Sequence, residues 1–356
     1  MISFTKLLCP GRWTAAVPVL FLFVTAAAAQ PGGGRDPLFT SHELLEVTIA
    51  APFRLIMQER PIDKYEPGTL RYQDSDGTFV ELDIGVRTRG QFRRKPEHCK
   101  FAPLRLNFKK SQTRNTVFDK QDKIKLVTHC QNRSPRYEQM VVNEYMAYRI
   151  FGLLSDVSFS ARLLRVTYDF TDDNQQIESY GILLEHRRRL EKRTDTSRMR
   201  VKEILPTDLQ PEYSNLLSVF QYMIGNTDFS PIRASPDANC CHNQVLLQTD
   251  DKTIYSVPYD FDMSGIVNAP YAAPHPRFKI KSVRDRLYRG RCANNALLPA
   301  TLDYFRERRD EIETLIREEP ALSKFARNST LSFIRQFYKR IDDPRQVERR
   351  LVGACI

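Results

Sequence analysis

The order of apolar and polar positions divides this chain into a strand-rich first half and a helix-rich second half. Apolar residues alternate with polar residues over 79–89 and over 103–108, which is typical of strands that bury one face. Further strand-like runs lie at 44–56, 70–72, 124–128, 161–170 and 179–185. Because Asp76-Gly77 is a hairpin signal between two of these runs, the pattern predicts a mainly antiparallel sheet.

Apolar spacings of three and four residues predict helices. One such helix, at 137–154, interrupts the strand-rich half, and others lie at 209–224, 297–316 and 322–337. The basic, polar stretch 190–200 predicts an exposed linker between two lobes of the chain. The sequence therefore predicts four regions: a signal peptide at 1–29, a flexible segment at 30–43, a sheet-rich lobe at 44–189 and a helical lobe at 190–356 that contains the metal and catalytic segment.

The first 29 residues predict the cellular compartment of the protein. Lys6 and Arg12 precede an apolar run from Val17 to Ala29 that ends in small residues, as in a cleaved secretory signal peptide. An uncleaved membrane anchor is the alternative, but the run is short and contains Pro18. We therefore expect an exported protein, periplasmic or secreted, with no transmembrane span after signal cleavage.

Charge limits the classes of partner. The chain has a formal net charge of +11, and its basic residues are spread along the sequence without the aromatic pattern of a nucleic-acid module. We expect no specific nucleic-acid partner. An anionic partner such as a nucleotide, a phosphate or an acidic surface fits this charge better.

Six cysteines follow the predicted signal peptide, and in an exported protein they predict disulfides. Cys99 with Cys130 is the favoured pair if their strands are neighbours. Cys240 and Cys241 are adjacent, so we expect each to bond a distant partner. The connectivity is otherwise open, and no spacing typical of a zinc site is present.

Candidate chemistry is concentrated in the stretch 225–262. Asp228 ends the turn 225–228, Asn243 precedes the apolar run 245–247, and Asp260 and Asp262 follow a second apolar run. Carboxylate and amide oxygens at such junctions are the ligands of a hard divalent cation beside a phosphoryl substrate. The alternative is ordinary turn chemistry, in which Asp and Asn bond their own backbone.

Five short motifs in order resemble the CotH family of atypical, spore-coat-type protein kinases, as an exported bacterial branch. The motifs are Arg87-Thr88-Arg89-Gly90, Pro103-Leu104-Arg105-Leu106-Asn107-Phe108, Tyr180-Gly181-Ile182-Leu183-Leu184-Glu185, Gly225-Asn226-Thr227-Asp228 and Tyr259-Asp260-Phe261-Asp262-Met263-Ser264. One departure is that Gln91-Phe92-Arg93-Arg94 follows the Arg-Gly motif, where CotH-like chains often have Asn-Ser.

The resemblance implies an α+β, two-lobed protein-kinase-like fold, with an antiparallel-sheet N-lobe and a mainly helical C-lobe. It further implies ATP as phosphoryl donor, Mg²⁺ or Mn²⁺ as metal, and a protein or other hydroxyl-bearing acceptor. Asp228 would be the acidic residue of the catalytic loop, and Asn243 and Asp260 would be metal ligands, while Asp262 supports the turn or shares the metal.

An ATP site of this kind also needs a cation on the sheet and an acid to hold it. Lys125 is the leading cation, with Glu144 or Glu138 on the following helix as its partner. Rival cations are Lys100, Arg105 and Arg89. The backbone near Glu185 and His186 would face adenine.

A second hypothesis is a catalytically silent, kinase-like exported scaffold that binds an acidic or cell-envelope partner. The sequence leaves the acceptor and the oligomeric state open.

Overall fold

The structure is a computed structural model that describes residues 34–74, 76–234 and 238–356, so the predicted signal peptide at 1–29 lies outside the described residues. The strands are β1 (Leu45–Ala51), β2 (Glu66–Gln73), β3 (Phe79–Thr88), β4 (Leu104–Phe108), β5 (Lys123–Val127), β6 (Ala161–Phe170), β7 (Gln176–Leu184), β8 (Ser197–Arg198), β9 (Gln244–Gln248) and β10 (Ile254–Pro258). The helices are α1 (Phe53–Glu59), α2 (Pro135–Leu154), α3 (Arg187–Arg193), α4 (Pro211–Ile224), α5 (Leu298–Glu307), α6 (Arg309–Glu318), α7 (Lys324–Ile341) and α8 (Pro344–Arg350).

Among the described residues, seven strands close into a barrel in the order β1-β2-β3-β4-β5-β7-β6. Every neighbouring pair is antiparallel except β1 and β6, which run parallel from Leu45 opposite Leu164 to Ala51 opposite Phe170. Closure satisfies the hydrogen-bonding groups that an open sheet would expose at its edges.

The expected two-lobed protein-kinase-like fold with an antiparallel-sheet N-lobe is therefore wrong. The sheet is a closed, mixed barrel, because β1 pairs with β6 far along the chain. Alternation of apolar residues identifies a strand and its buried face, but an open sheet and a closed barrel share that pattern.

The segment after β1 also differs from expectation. The sequence predicts strand up to residue 56, whereas Phe53–Glu59 forms α1. The carboxylate of Asp172, in the turn between β6 and β7, accepts hydrogen bonds from the backbone N–H groups of Arg54 (3.1 Å) and Leu55 (2.8 Å). A distant residue thus satisfies two N–H groups at the start of this helix, which local sequence does not reveal.

The barrel interior forms one hydrophobic core. It includes Ile49, Leu82, Leu106 and Val166, which are at most 1% exposed. Leu38 and Phe39 also belong to this core. The segment 30–43, predicted to be flexible, is therefore anchored in its described part.

A second core surrounds α2 and joins the barrel to the helices that follow. It includes Phe151 of α2, Phe220 of α4 and Phe333 of α7. The sequence predicts an amphipathic helix here, but α2 is buried along most of its length, including the polar residues Asn143 and Glu144. This burial places the Glu144 carboxylate inside the protein.

The cysteines form three pairs at disulfide distance within the described residues. Cys99 and Cys130 have sulfurs 2.05 Å apart, and Cys292 pairs with Cys355. Cys240 and Cys241 pair with each other, contrary to the expectation of distant partners. Within the described residues, the other four cysteines form the other two pairs.

None of the helices in the described ranges has the length and apolar character needed to span a membrane.

Candidate functional site

The antiparallel strands β9 and β10 position the candidate site. Gln244 at the start of β9 lies opposite Pro258 at the end of β10. Asn243 and Asp260 therefore lie at the same end of this hairpin. The backbone N–H of Tyr259 donates to the carbonyl of Asn243 across the hairpin, at 3.1 Å.

Asp228 is brought to the same end by the loop that follows α4. Gly225 ends α4 with a φ of 66°, a left-handed conformation that a larger residue would adopt only with strain. Beyond it, the N–H of Ser230 donates to the carbonyl of His242 at 3.0 Å, which ties this loop to the residue before Asn243.

The Asp228 carboxylate is held by two side chains. His242 Nε2 donates to Oδ1 at 2.7 Å, and Asn243 Nδ2 donates to Oδ2 at 2.9 Å. The hydrogen bond that His242 donates to Asp228 raises the pKa of His242, which favours the charged imidazolium. The Asp228 side chain is still 40% exposed, so its carboxylate is oriented yet accessible to a bound molecule.

Asp260 occupies the centre of the site. Its backbone N–H donates to the hydroxyl of Tyr148 on α2, at 2.9 Å, and its φ is 65°. Its negative charge acts on Lys125, Glu144 and His242. Asp260 therefore connects the barrel, α2 and the hairpin electrostatically.

Lys125 on β5 lies near Asp260, as the sequence hypothesis requires. Its ammonium nitrogen is 4.7 Å above the ring of Tyr259, a cation–π contact. Burial and the neighbouring Arg89 lower the pKa of Lys125 to about 7, whereas Asp260 opposes this change. An anion bound beside Lys125 would favour its protonated form.

The partner of Glu144 is Arg93, which sequence reasoning missed. Arg93 Nη2 lies 3.9 Å from Glu144 Oε2, and Arg93 Nε lies 3.3 Å from Asp262 Oδ2. Although burial opposes its charge, Tyr271, Asp262 and Glu144 hold the pKa of Arg93 well above its usual range. We name Arg93, Glu144, Asp262 and Tyr271 the Arg93 cluster.

In the Arg93 cluster, burial raises the pKa values of both Glu144 and Asp262, and Arg93 opposes this by favouring their charged forms. The Tyr271 hydroxyl donates to Asp262 Oδ2 at 3.1 Å. The ionic partner of Glu144 is thus Arg93 and not Lys125. The only sequence signal was that Arg93 stands where the chain departs from the CotH pattern.

Glu185 has a different setting. It is buried at the end of β7, where its two carboxylate oxygens accept from Arg193 at 3.1 and 2.9 Å. The backbone N–H of Ser160 also donates to it, at 2.9 Å. The Glu185 side chain therefore links the end of β7 to α3. The expectation that the nearby backbone binds adenine stays a prediction. Glu138, the alternative acid on α2, lies 3.8 Å from Arg165.

The structure thus groups the candidate residues in two sets. Asp228, Asn243 and Asp260 meet at one end of the hairpin, with Lys125 near Asp260, whereas Glu144 and Asp262 belong to the Arg93 cluster. Within 34–74, 76–234 and 238–356, no three or more His, Cys, Asp or Glu side chains are arranged to hold a metal ion. A comparison with protein-family models gives no match for this chain, and a comparison with curated proteins gives none either.

Proposed function

We propose that the protein transfers the terminal phosphoryl group of ATP to a hydroxyl group of a protein or other acceptor, with the help of Mg²⁺ or Mn²⁺. The supporting observation is that Asp228, Asn243 and Asp260 meet at one end of the β9–β10 hairpin beside the ammonium of Lys125. The identity of donor and metal rests on the CotH resemblance, and the chemistry of the site is compatible with both.

The donor set fits a hard divalent cation. Asp260 supplies carboxylate oxygens, and Asn243 donates through its amide nitrogen to Asp228, which turns its amide oxygen away from that carboxylate. Magnesium at a nucleotide site needs only one or two protein carboxylates, because phosphate and water oxygens complete its coordination. When bound, the metal would neutralise charge on the transferring phosphate.

Asp228 has the features of a general base that would take the proton from the hydroxyl group of the phosphoryl acceptor. His242 and Asn243 fix its two oxygens, and its side chain remains accessible to a bound molecule. In phosphoryl transfer most of the catalysis comes from positioning and charge stabilisation, so an oriented carboxylate suits this role. Lys125 supplies a cation on the barrel side for phosphate oxygens.

The Arg93 cluster has a positioning role. Asp262 is two residues from Asp260, and Glu144 lies on the helix whose Tyr148 hydroxyl accepts from the backbone of Asp260. The ion pairs of Arg93 thereby hold the Asp260 turn against α2.

The test is ATP binding and turnover by the mature chain, residues 30–356, measured by calorimetry and by release of labelled phosphate to acceptors. Calorimetry is suitable because the only tryptophan, Trp13, lies in the predicted signal peptide. We expect Mg²⁺ or Mn²⁺ to strengthen ATP binding and Asp260→Asn to abolish that effect. Asp228→Asn should keep binding but lower turnover by roughly 10²- to 10⁴-fold, the usual contribution of a general base.

Asp251→Asn is the matched control, because Asp251 is an exposed aspartate in the turn at the opposite end of the same hairpin. It should leave binding and turnover unchanged. If ATP binding is independent of the metal, or if metal-dependent binding survives Asp260→Asn, the proposal is wrong. Metal-dependent binding without turnover would favour the alternative of a silent binding protein.

We also propose that the protein is exported after cleavage following residue 29. The three cysteine pairs at disulfide distance support an oxidising compartment. Mass spectrometry of the exported chain should find Gln30 at its amino terminus, and an intact residue 1 would contradict this.

A further inference from the structure

A cavity of about 610 Å³ lies beside Asp228 and His242. Four arginines line it, contributed by two segments of the chain, and they are Arg233, Arg277, Arg289 and Arg291. We name this the arginine cavity. An acceptor bound in this cavity would lie beside both Asp228 and these guanidinium groups.

The innermost arginine of this cavity is held by the Asp228 loop itself. Arg289 Nη1 donates to the carbonyls of Thr227 at 3.0 Å and Phe229 at 2.6 Å, the residues on either side of Asp228. Its guanidinium also lies over the rings of Phe229, at 4.5 Å, and Phe278, at 4.9 Å. Arg289 therefore fixes both the loop and its own position.

A second guanidinium group also contacts the Phe278 ring. Arg277 lies 4.6 Å from the centre of the Phe278 ring. Two of the four guanidinium groups of the cavity, those of Arg277 and Arg289, are thus stacked on an aromatic ring. Planar guanidinium groups bind carboxylate and phosphate with two parallel hydrogen bonds.

The arginines repel each other and have few counter-charges. Burial and the neighbouring Arg277 and Arg291 lower the pKa of Arg289 to about 10, and burial and Arg233 lower the pKa of Arg291. Among the described residues, none of the four forms an ion pair with a carboxylate, and the acid that acts on Arg289 is Asp228. Partly buried cations that lack counter-ions favour an anionic ligand.

A second basic cavity, of about 440 Å³, is lined by Lys110, Lys120, Lys123, Arg187, Arg188 and Arg189. Three of these six cations are paired: Arg189 lies 3.2 Å from Asp36, Arg187 lies 3.3 Å from Glu191, and Lys110 lies 3.6 Å from Asp122. This cavity is a suitable control, because it is also basic but is not lined by Asp228.

We propose that the arginine cavity binds an acidic peptide segment, which presents a serine or threonine hydroxyl to Asp228. The carboxylates of this segment would pair with the arginines, and the partly exposed ring of Phe278 would contact its apolar groups. A basic acceptor sequence is disfavoured, since its cations would face unpaired guanidinium groups. The role of Asp228 rests on the proposed function, whereas peptide binding by the arginines does not.

The experiment measures peptide binding by fluorescence anisotropy, without nucleotide or metal. The probe is a fluorescein-labelled peptide with one serine flanked by aspartates, and its matched control has asparagine in place of each aspartate. We expect the asparagine peptide to bind at least tenfold more weakly, and added salt to weaken the aspartate peptide. The variant Arg233→Gln/Arg277→Gln should weaken the aspartate peptide by roughly tenfold or more, as expected for lost charge-assisted hydrogen bonds.

The matched variant Lys110→Gln/Arg188→Gln removes two charges from the second cavity and should change the affinity less than twofold. Both arginines of the test variant are exposed, so their replacement should leave the fold intact, which circular dichroism checks. Inorganic phosphate is added as a competitor, and it should displace the peptide only at concentrations far above the peptide's dissociation constant.

Equal binding of the aspartate and asparagine peptides would overturn this proposal. So would binding that responds to the control variant rather than to the test variant, or full displacement by phosphate at the peptide's own concentration. In these cases metal-dependent ATP binding can still hold, and the proposed function stands. If ATP binding fails but arginine-dependent peptide binding persists, the proposed function is wrong and the acidic-peptide site remains.

Discussion

Replacing Arg93 by methionine should destabilise the protein strongly, because Arg93 compensates two buried carboxylates. Its side chain is 9% exposed, and those of Glu144 and Asp262 are 2% and 10% exposed. Methionine keeps most of the volume but removes the charge. Removing one partner of a buried ion pair costs about 3–5 kcal/mol. Tyr271 still donates a hydrogen bond to Asp262, and burial favours the protonated form of Glu144. We therefore expect Arg93→Met to lower the free energy of unfolding by about 3 kcal/mol, the lower end of this range.

The measurement is urea unfolding of Arg93→Met at pH 8, followed by far-ultraviolet circular dichroism. The midpoint should fall while the slope of free energy against urea stays that of the wild type. Arg71→Met is the matched control, because Arg71 pairs with Glu81 at 2.7 Å but both side chains are at least half exposed. That exposed pair should contribute at most about 1 kcal/mol.

Glu144→Gln should lower the free energy of unfolding much less than Arg93→Met does. Glu144 lies 3.9 Å from Arg93, and within the described residues its Oε1 accepts no hydrogen bond. In the double variant Arg93→Met/Glu144→Gln, part of the lost stability should return, because one uncompensated carboxylate is removed. If Arg93→Met is no less stable than Arg71→Met, the Arg93 cluster does not depend on charge compensation and the reasoning is refuted.

Two further changes test the barrel and the loop that carries the site. Burial lowers the pKa of His129 to about 4, so the folded state favours the neutral ring. The contribution of His129 to the stability of the folded state is therefore complete above about pH 6.5, the pKa of an unfolded histidine, and it is lost as the pH falls toward 4. His129→Gln should therefore reduce the slope of the free energy of unfolding against pH, measured by urea unfolding between pH 6.5 and 4, by up to about 1.4 kcal/mol per pH unit. Identical slopes in both proteins would contradict this. At Gly265, an added Cβ would lie 2.5 Å from the Val283 carbonyl oxygen, so Gly265→Ala should cost about 1–3 kcal/mol in urea unfolding. The control Gly152→Ala in α2, whose nearest neighbour is 3.9 Å away, should be neutral or stabilising, and equal effects of the two changes would show that the close approach at Gly265 is not limiting.

Local patterns in the sequence were sufficient to locate most elements of secondary structure. The alternation at 79–89 and 103–108 corresponds to β3 at Phe79–Thr88 and β4 at Leu104–Phe108. The helix expected at 137–154 is α2 at Pro135–Leu154. These elements were predictable because their apolar spacing follows from which face is buried, whatever lies against that face.

The convergence of Asn243 and Asp260 could also be expected from the sequence. Both flank short apolar runs that are close in the chain, and such runs readily pair as an antiparallel hairpin whose two outer ends meet. The sequence thus indicated that Asn243 and Asp260 could lie close together, whereas their role as metal ligands stays a prediction.

Tertiary structure alone decided the closure of the barrel and the partner of Glu144. Closure depends on β1 meeting β6, and the Arg93 cluster depends on a loop between β3 and β4 reaching α2 and the Asp260 turn. The physical reason is the same in both cases. Pairing between distant segments is set by the packing of the whole chain, and the residues on either side carry no local signal of the partner they will meet.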